Sequence, residues 1–255
     1  MGAATGPAQS VSRLLIEYDG TEFSGWARQP GLRTVQGELE RALGVVLRRD
    51  DVALTVAGRT DAGVHALGQV ASYAGEPARA DALNALLPYD VAVINCVAAA
   101  PDFDARRDAT SRAYAYRVLT RRSRSAFERR RALHWPHPLD LAAMRACAEL
   151  LVGEHDFTAF TPTETDHVRF ERVVVTATWE GAGDGLLEFR VEADAFMRNM
   201  IRVLVGTMLE VGSGRRSAAS FGELLRGRPR AEAGATAAPH GLHFLGAGYG
   251  GRRVL

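Results

Sequence analysis

Val52-Ala53-Leu54-Thr55-Val56 and Gly68-Gln69-Val70-Ala71-Ser72-Tyr73 are two apolar, β-rich runs, and between them stands Ala57-Gly58-Arg59-Thr60-Asp61-Ala62-Gly63-Val64-His65-Ala66-Leu67. The runs read as neighbouring strands and the polar segment as the loop that joins them. Gly58 and Gly63 bracket Arg59 and Asp61, and paired glycines permit a tight backbone path or the close approach of a partner. The plain reading of the loop is a charged hairpin turn. A carboxylate and a guanidinium held on it also suit an active site.

Outward from this pair the order of elements sets the fold class. Upstream, Val11–Tyr18 reads as a strand and Thr34–Val46 as a helix, with Thr34 at the N-cap and Val35, Leu39, Ala42 and Leu43 near one face. Downstream, Ala80–Leu87 reads as a short helix ended by Pro88, and Val91–Ala99 as a strand. The order is β-α-β-β-α-β, the ferredoxin-like arrangement. A second set follows: strand Thr110–Leu119, helix Leu139–Leu151, strands Glu171–Trp179 and Leu186–Val191, helices Phe196–Val211 and Ser220–Arg226, and a last strand at Leu242–Gly246. The expected architecture is α+β, two ferredoxin-like halves whose antiparallel sheets flank a central cleft. The expected organisation is a disordered tail over 1–10, one domain over 11–105 and a second over 106–255.

With 255 residues, 47% of them apolar and 24% charged, the chain can bury a real core. It holds no run of the roughly 18 apolar residues that a membrane span needs. The start is not built as a signal peptide. Cys96 and Cys147 each lie in an apolar segment and read as buried free thiols, which suits the cytoplasm. The net charge of +1 hides an asymmetry: residues 1–105 carry 8 Arg and 13 acids, and Arg106 to Arg131 alone carry 10 Arg and 2 acids. Such a stretch can track a phosphate backbone or form a solvated loop. The chain has no Lys, so its use of Arg is a general bias.

The chemistry-bearing residues are few. Asp61 is the best candidate for a catalytic carboxylate, a group that can act at a sugar carbon when an oxocarbenium-like centre develops. Arg59, two residues away, shares its side of an extended segment. In Arg112-Ala113-Tyr114-Ala115-Tyr116-Arg117, period 2 puts Arg112, Tyr114 and Tyr116 on one face, either ordinary strand aromatics or a platform for bases. Arg198 and Arg202 stand one turn apart on the apolar helix Phe196–Val211. A buried arginine there needs a carboxylate, and Arg202 with Asp61 is the economical pair. Glu154-His155-Asp156 is isolated, no Cys or His spacing suits zinc, and the glycines match no phosphate-binding loop, so neither metal nor cofactor is expected.

Glu17-Tyr18-Asp19-Gly20, Phe23-Ser24-Gly25-Trp26, Thr34-Val35-Gln36, the loop Gly58 to Ala66, Asp102-Phe103-Asp104-Ala105-Arg106 leading to Tyr114, Gly153 to Phe157, Phe196 to Gly206 and Pro239 to Leu245 resemble, in order, the blocks of the TruA family of tRNA pseudouridine synthases. The resemblance implies the pseudouridine synthase fold and matches Asp61 to the catalytic aspartate, Tyr114 to the active-site tyrosine and Arg202 to the arginine that pairs with the aspartate. Arg59, Tyr114, Arg112, Arg198 and His65 are the substrate-binding candidates. Val203 and Asp104 depart from residues common in the family, and Thr161–Arg169 looks shorter than in some members. The implied reaction converts uridines 38, 39 and 40 of the tRNA anticodon stem-loop to pseudouridine without a cofactor. Asp61 would assist C1′–N1 cleavage by adding to C1′ or by taking the C2′ proton. The implied assembly is a cytoplasmic homodimer with one tRNA across both subunits, away from any membrane.

Two other classes remain in play on the residues alone. A non-catalytic RNA-binding module would leave Asp61 dispensable. A glycoside-processing enzyme would want a second carboxylate, for which Asp19 or Glu154 qualifies by type but not by spacing.

Overall fold

The computed structural model describes residues 10–165 and 168–255. Most of the expected tail, 1–9, and Asp166 and His167 of the Thr161–Arg169 segment lie outside the described residues. The chain divides into two compact units, one reaching Thr110 and including Gly246–Arg252, the other comprising Ser111–Leu245 and Arg253–Leu255. The sequence placed the division at 105/106 and gave the whole chain end to the second half. Instead the last strand passes from the second unit into the first at Gly246.

The first unit holds β1 (Val11–Tyr18), α1 (Val35–Leu47), β2 (Thr55–Val56), β3 (His65–Ala74), α2 (Ala80–Asn84) and β4 (Val91–Ala99). β1 lies antiparallel between β3 and β4, and β2 pairs antiparallel with β3. The spatial order β4-β1-β3-β2 is that of a split β-α-β pair, the ferredoxin-like topology expected. Thr34 caps α1 as read, its Oγ1 accepting from Gly37 N at 3.3 Å. α1 buries Val35, Leu39, Ala42 and Leu43, and Leu14 and Ile16 of β1 are buried with them.

Two elements are shorter than read. Leu54 N donates to Glu40 Oε1 (3.1 Å), so β2 keeps only Thr55 and Val56 of the expected Val52–Val56. α2 ends at Asn84 rather than at Leu87, because Leu86 N turns to Leu83 O (2.9 Å), a tighter turn than the helix's own. Between β1 and β3 the register slips by one residue, from Ile16 opposite Gln69 to Tyr18 opposite Ala66. This bulge lies where β3 leaves the 57–64 loop and leaves Leu67 exposed.

The second unit holds β5 (Ala109–Leu119, from Ser111 on), β6 (Leu133–His134), α3 (Leu141–Leu151), β7 (Gly153–Asp156), β8 (Glu171–Gly181), β9 (Leu186–Ala193), α4 (Met200–Gly212), α5 (Ala218–Leu224) and the first half of β10 (Leu242–Tyr249). Its order is β10-β5-β9-β8-β7, the same topology with one more edge strand. β6 and β7 were not read from the sequence. β7 is Gly153-Glu154-His155-Asp156, polar throughout, so no apolar alternation marks it. The core gathers Phe157, Phe160 and Phe221 with Met144, Cys147 and Leu151 of α3 and Leu204, Val205 and Met208 of α4. Both cysteines are free, Cys147 buried as expected and Cys96 only half-buried.

The helix read as Phe196–Val211 begins four residues later. Asn199 stands before Met200 with φ 61°, a left-handed conformation that a short polar side chain tolerates. Arg198 therefore precedes the helix and does not share a helical face with Arg202.

Candidate active site

In the first unit the segment that carries Asp61 is held at several points. Thr60 turns inward and is buried, between exposed Arg59 and half-buried Asp61. Its carbonyl accepts from Trp26 N (3.0 Å), and its hydroxyl meets Tyr18 OH at 2.7 Å. Gln69 Nε2 donates to Gly58 O (2.8 Å) and to Tyr18 OH (3.3 Å). Val64 N closes a turn on Asp61 O at 3.2 Å.

Two glycines make this seat possible. Gly25, at φ 90°, lies so close that a Cβ there would stand 2.9 Å from Thr60 O, and a Cβ on Gly20 would stand 1.9 Å from Val64 O. Burial pushes the Tyr18 phenol up to about 12, against the smaller lowering by its bonds to Thr60 and Gln69, so it stays neutral.

His65, expected at the substrate, is buried and serves the same seat. Gly20 N donates to its Nδ1 at 3.1 Å. Asp19 Oδ1 lies 3.2 Å from that nitrogen and takes its own hydrogen bonds from Thr21 N and Oγ1. Among the described residues Arg59 forms no hydrogen bond or ion pair.

The second unit orients a tyrosine and an arginine. The Tyr114 ring is buried and meets Phe196 and Phe244 edge-on, centroids 5.2 and 5.0 Å away, so two aromatics fix its plane. Tyr116, two residues on, is a core residue. It is fully buried, its OH donates to Ala238 O (2.8 Å), and burial raises its pKa against the lowering effect of the Arg202 charge.

Arg202 is tied by both backbone and side chain. Its carbonyl accepts from Ala237 N (3.0 Å), its Nε donates to Ala237 O (2.7 Å), and its Nη1 donates to Asn199 Oδ1 (2.7 Å). Asn199 would ordinarily cap the helix with that oxygen and gives it to the guanidinium instead. The segment that meets Arg202 crosses α4 at Gly206, where a Cβ would stand 1.8 Å from Ala235 O. Thr207 Oγ1 accepts from Gly234 N (3.0 Å) at the same crossing.

Arg112 Nη1 donates to Asp194 O (2.9 Å) and exposed Arg198 reaches Glu164 O (3.3 Å). In the Arg-rich stretch, Arg117 pairs with Glu128 (3.0 Å) and Arg107 with Asp108, while Arg121, Arg122, Arg124 and Arg129 to Arg131 are exposed. A cavity of about 530 Å³ lies against this loop, walled by Leu119, Arg124, Arg129, His134 and His240, and none of the site candidates lines it. No group of three or more potential metal ligands occurs among the described residues.

Sequence reasoning missed Tyr18, Gly20, Gly25, Gln69 and Asn199 as the residues that hold the others. The signal for three of them was present: Tyr18, Gly20 and Gly25 stand in the opening blocks.

The two α+β units share one topology; one seats a carboxylate loop, and the other holds a tied arginine and an aromatic-braced tyrosine, side-chain types that acid–base and nucleophilic chemistry use. Known proteins narrow the class. The family model described as tRNA pseudouridine synthase matches residues 14–105 and 147–250. A protein of Thermus thermophilus named tRNA pseudouridine synthase A is 47% identical over 92% of this chain and 95% of its own length. Proteins of the same name from Myxococcus xanthus and a Geobacillus species are 44% and 42% identical, over 90% and 91% of this chain and 88% and 95% of theirs. Among solved structures, a chain titled as part of an archaeal box H/ACA sRNP Nop10-Cbf5 complex aligns at 13% identity with TM-score 0.36, over 78% of this chain and 44% of that one. The chain belongs to the tRNA pseudouridine synthase family, enzymes that isomerise uridine in tRNA. Asp61, Arg59, His65, Arg198 and Arg202 fall within the residues that the family model matches; Arg112 and Tyr114 fall between its two segments. No described helix is long and apolar enough to cross a membrane.

Proposed function

We propose that this enzyme converts uridines 38, 39 and 40 of the tRNA anticodon stem-loop to pseudouridine, with Asp61, Tyr114 and Arg202 at the reacting nucleotide. The observation that carries the reading is the Asp61 segment itself: a half-buried carboxylate in the middle of a polar loop whose backbone is fixed on both sides. Asp61 assists departure of uracil from C1′, the freed ring turns, and C5 attacks C1′. The C1′–N1 bond is exchanged for a C1′–C5 bond, the C5 proton leaves to solvent and N1 takes up a proton in its place, so no oxidant, reductant or cofactor enters the balance. Arg202 answers, by the family resemblance, to the arginine that partners the catalytic aspartate. Tyr114 stacks on the uracil during its turn, and its phenol helps remove the C5 proton. Arg59, exposed and uncommitted, serves the extruded nucleotide, either filling the gap in the stem or holding its phosphate. Arg112 and Arg198 complete the substrate contacts, and His65 supports the loop. The enzyme acts in the cytoplasm as a homodimer, with one tRNA across both copies and the Arg106–Arg131 stretch along the RNA path.

The test is Asp61→Asn, incubated with anticodon-stem tRNA carrying tritium at uridine C5. Tritium release should fall below about 1% of wild type, as expected for loss of a nucleophile or base, while tRNA binding persists. Turnover above that level would remove Asp61 from the chemistry and favour a binding module.

A further inference from the structure

Tyr18, Thr60 and Gln69 form a buried polar chain behind the Asp61 loop, and the activity as proposed does not use it. Each member is more than nine-tenths buried. Gln69 is committed at both ends of its amide. Oε1 accepts from Val70 N (3.2 Å), and Nε2 donates to Gly58 O (2.8 Å) and Tyr18 OH (3.3 Å). A buried phenol needs an acceptor for its own proton. Tyr18 already accepts from Gln69, and its neighbour at 2.7 Å is Thr60 Oγ1, so the proton lies on the side of Thr60. The chain then has one direction, Gln69 to Tyr18 to Thr60.

Its two ends grip the backbone on either side of Arg59: Gly58 by its carbonyl and Thr60 by its hydroxyl. Thr60 is the residue immediately before Asp61, and Trp26 N holds the Thr60 carbonyl in addition. A core that needed only packing would be served by apolar groups here. Buried polar groups that are fully paired specify one geometry, because every alternative position leaves a donor or acceptor unpaired.

We propose that Gln69, Tyr18 and Thr60 are positioning residues that fix the height and orientation of the Asp61 carboxylate, so that the enzyme's rate depends on this chain and its hold on tRNA does not. The proposal rests on the reading of Asp61 as the catalytic carboxylate. Reacting groups displaced by about 1 Å can lose on the order of 100-fold in rate. Breaking the chain therefore lowers kcat by roughly 10- to 100-fold, with KM for tRNA within about twofold of wild type because no phosphate or base contact is touched.

The experiment measures single-turnover and steady-state tritium release, tRNA binding and thermal unfolding for Gln69→Leu, Tyr18→Phe, Thr60→Val and Thr60→Ser. Gln69→Leu and Thr60→Val should lose rate at temperatures where each is fully folded. Thr60→Ser, which keeps the hydroxyl and loses the methyl, should recover most of the rate that Thr60→Val loses. A merely structural role would lower the unfolding temperature and leave kcat of the folded protein unchanged, and that result overturns the proposal. Equal losses in Thr60→Ser and Thr60→Val also overturn it, since the hydroxyl would then be immaterial. If Gln69→Leu does not fold, the Thr60 pair and Tyr18→Phe carry the test, because they change a single atom or group. Asp61→Asn, run alongside, separates the two readings. If it stays active, the assignment of Asp61 fails; if it is inactive while Thr60→Val is fully active, only the positioning chain fails.

Discussion

Replacing Gly206 by Ala sets helix propensity against packing. In the interior of α4, Ala should stabilise by about 1 kcal/mol relative to Gly. Yet the added methyl would stand 1.8 Å from Ala235 O, where an ordinary contact is 3.4–4 Å, so the crossing segment must retreat by about 1.6 Å. That segment is held to α4 by Gly234 N to Thr207 Oγ1, Ala237 N to Arg202 O and Arg202 Nε to Ala237 O, at 3.0, 3.0 and 2.7 Å. At about 1 kcal/mol each, their loss costs about 3 kcal/mol, which leaves a net destabilisation of about 2 kcal/mol. One of the three bonds is made by the Arg202 guanidinium itself, so its hold is loosened as well. Urea unfolding should show the loss of stability, and tritium release at saturating tRNA should show a fall in kcat. A variant more stable than wild type would refute the reasoning, because propensity would have won and the segment would have yielded without breaking its bonds. A destabilised variant with intact kcat would show that the clamp on Ala237 does not orient Arg202 for the reaction.

Tyr116→Phe removes the donor to Ala238 O and should cost about 1 kcal/mol of stability with little effect on chemistry. Tyr114→Phe should do the reverse, impairing turnover with little change in unfolding, and the opposite pattern would exchange their roles. Tyr18 bears on alkaline stability. Its folded pKa of about 12 lies above the ordinary 10, so the fold favours the neutral phenol. That contribution is fully present below about pH 10 and is lost as pH rises towards about 12. Tyr18→Phe should flatten the fall of the urea midpoint between about pH 10 and 12, and unchanged slopes would remove Tyr18 as a titrating contributor.

The two ferredoxin-like units were legible because their strands and helices carry their own signals. Val11–Tyr18 alternates loosely between apolar and polar residues, Val91–Ala99 is β-rich, and Thr34 precedes a helical face as an N-cap should. What was not legible is set by contacts between distant residues. Nothing within Ala53-Leu54 says that Leu54 N will go to Glu40, nor within Asn84 that its side chain will bond Val93 of β4. The start of α4 is the sharpest case. Phe196-Met197-Arg198-Asn199 continues the apolar period, yet Asn199 adopts φ 61° and spends its side chain on Arg202. The same cause hides the site's supports. Asp61 and Tyr114 were found by residue type and family pattern, whereas Gln69 looks like an ordinary polar residue in a strand until Gly58 and Tyr18 are seen beside it.

Both units hold their functional side chains by one device. In the first, Gly20 and Gly25 let the opening segment press on the backbone of Thr60 to Val64, and Trp26 N then bonds the Thr60 carbonyl brought within reach. In the second, Gly206 lets Gly234–Ala238 press on α4, and Ala237 and Thr207 take the bonds. In each case a missing Cβ permits a backbone approach, and the approach supplies hydrogen bonds that leave one side chain a single orientation. A flexible Arg202 would lose side-chain entropy on meeting a carboxylate, and a loose Asp61 loop would lose backbone entropy on meeting substrate. Fixing both during folding moves that cost out of the catalytic step. On the roles proposed for Asp61 and Arg202, substitutions at Gly20, Gly25 and Gly206 should act on rate through those two side chains.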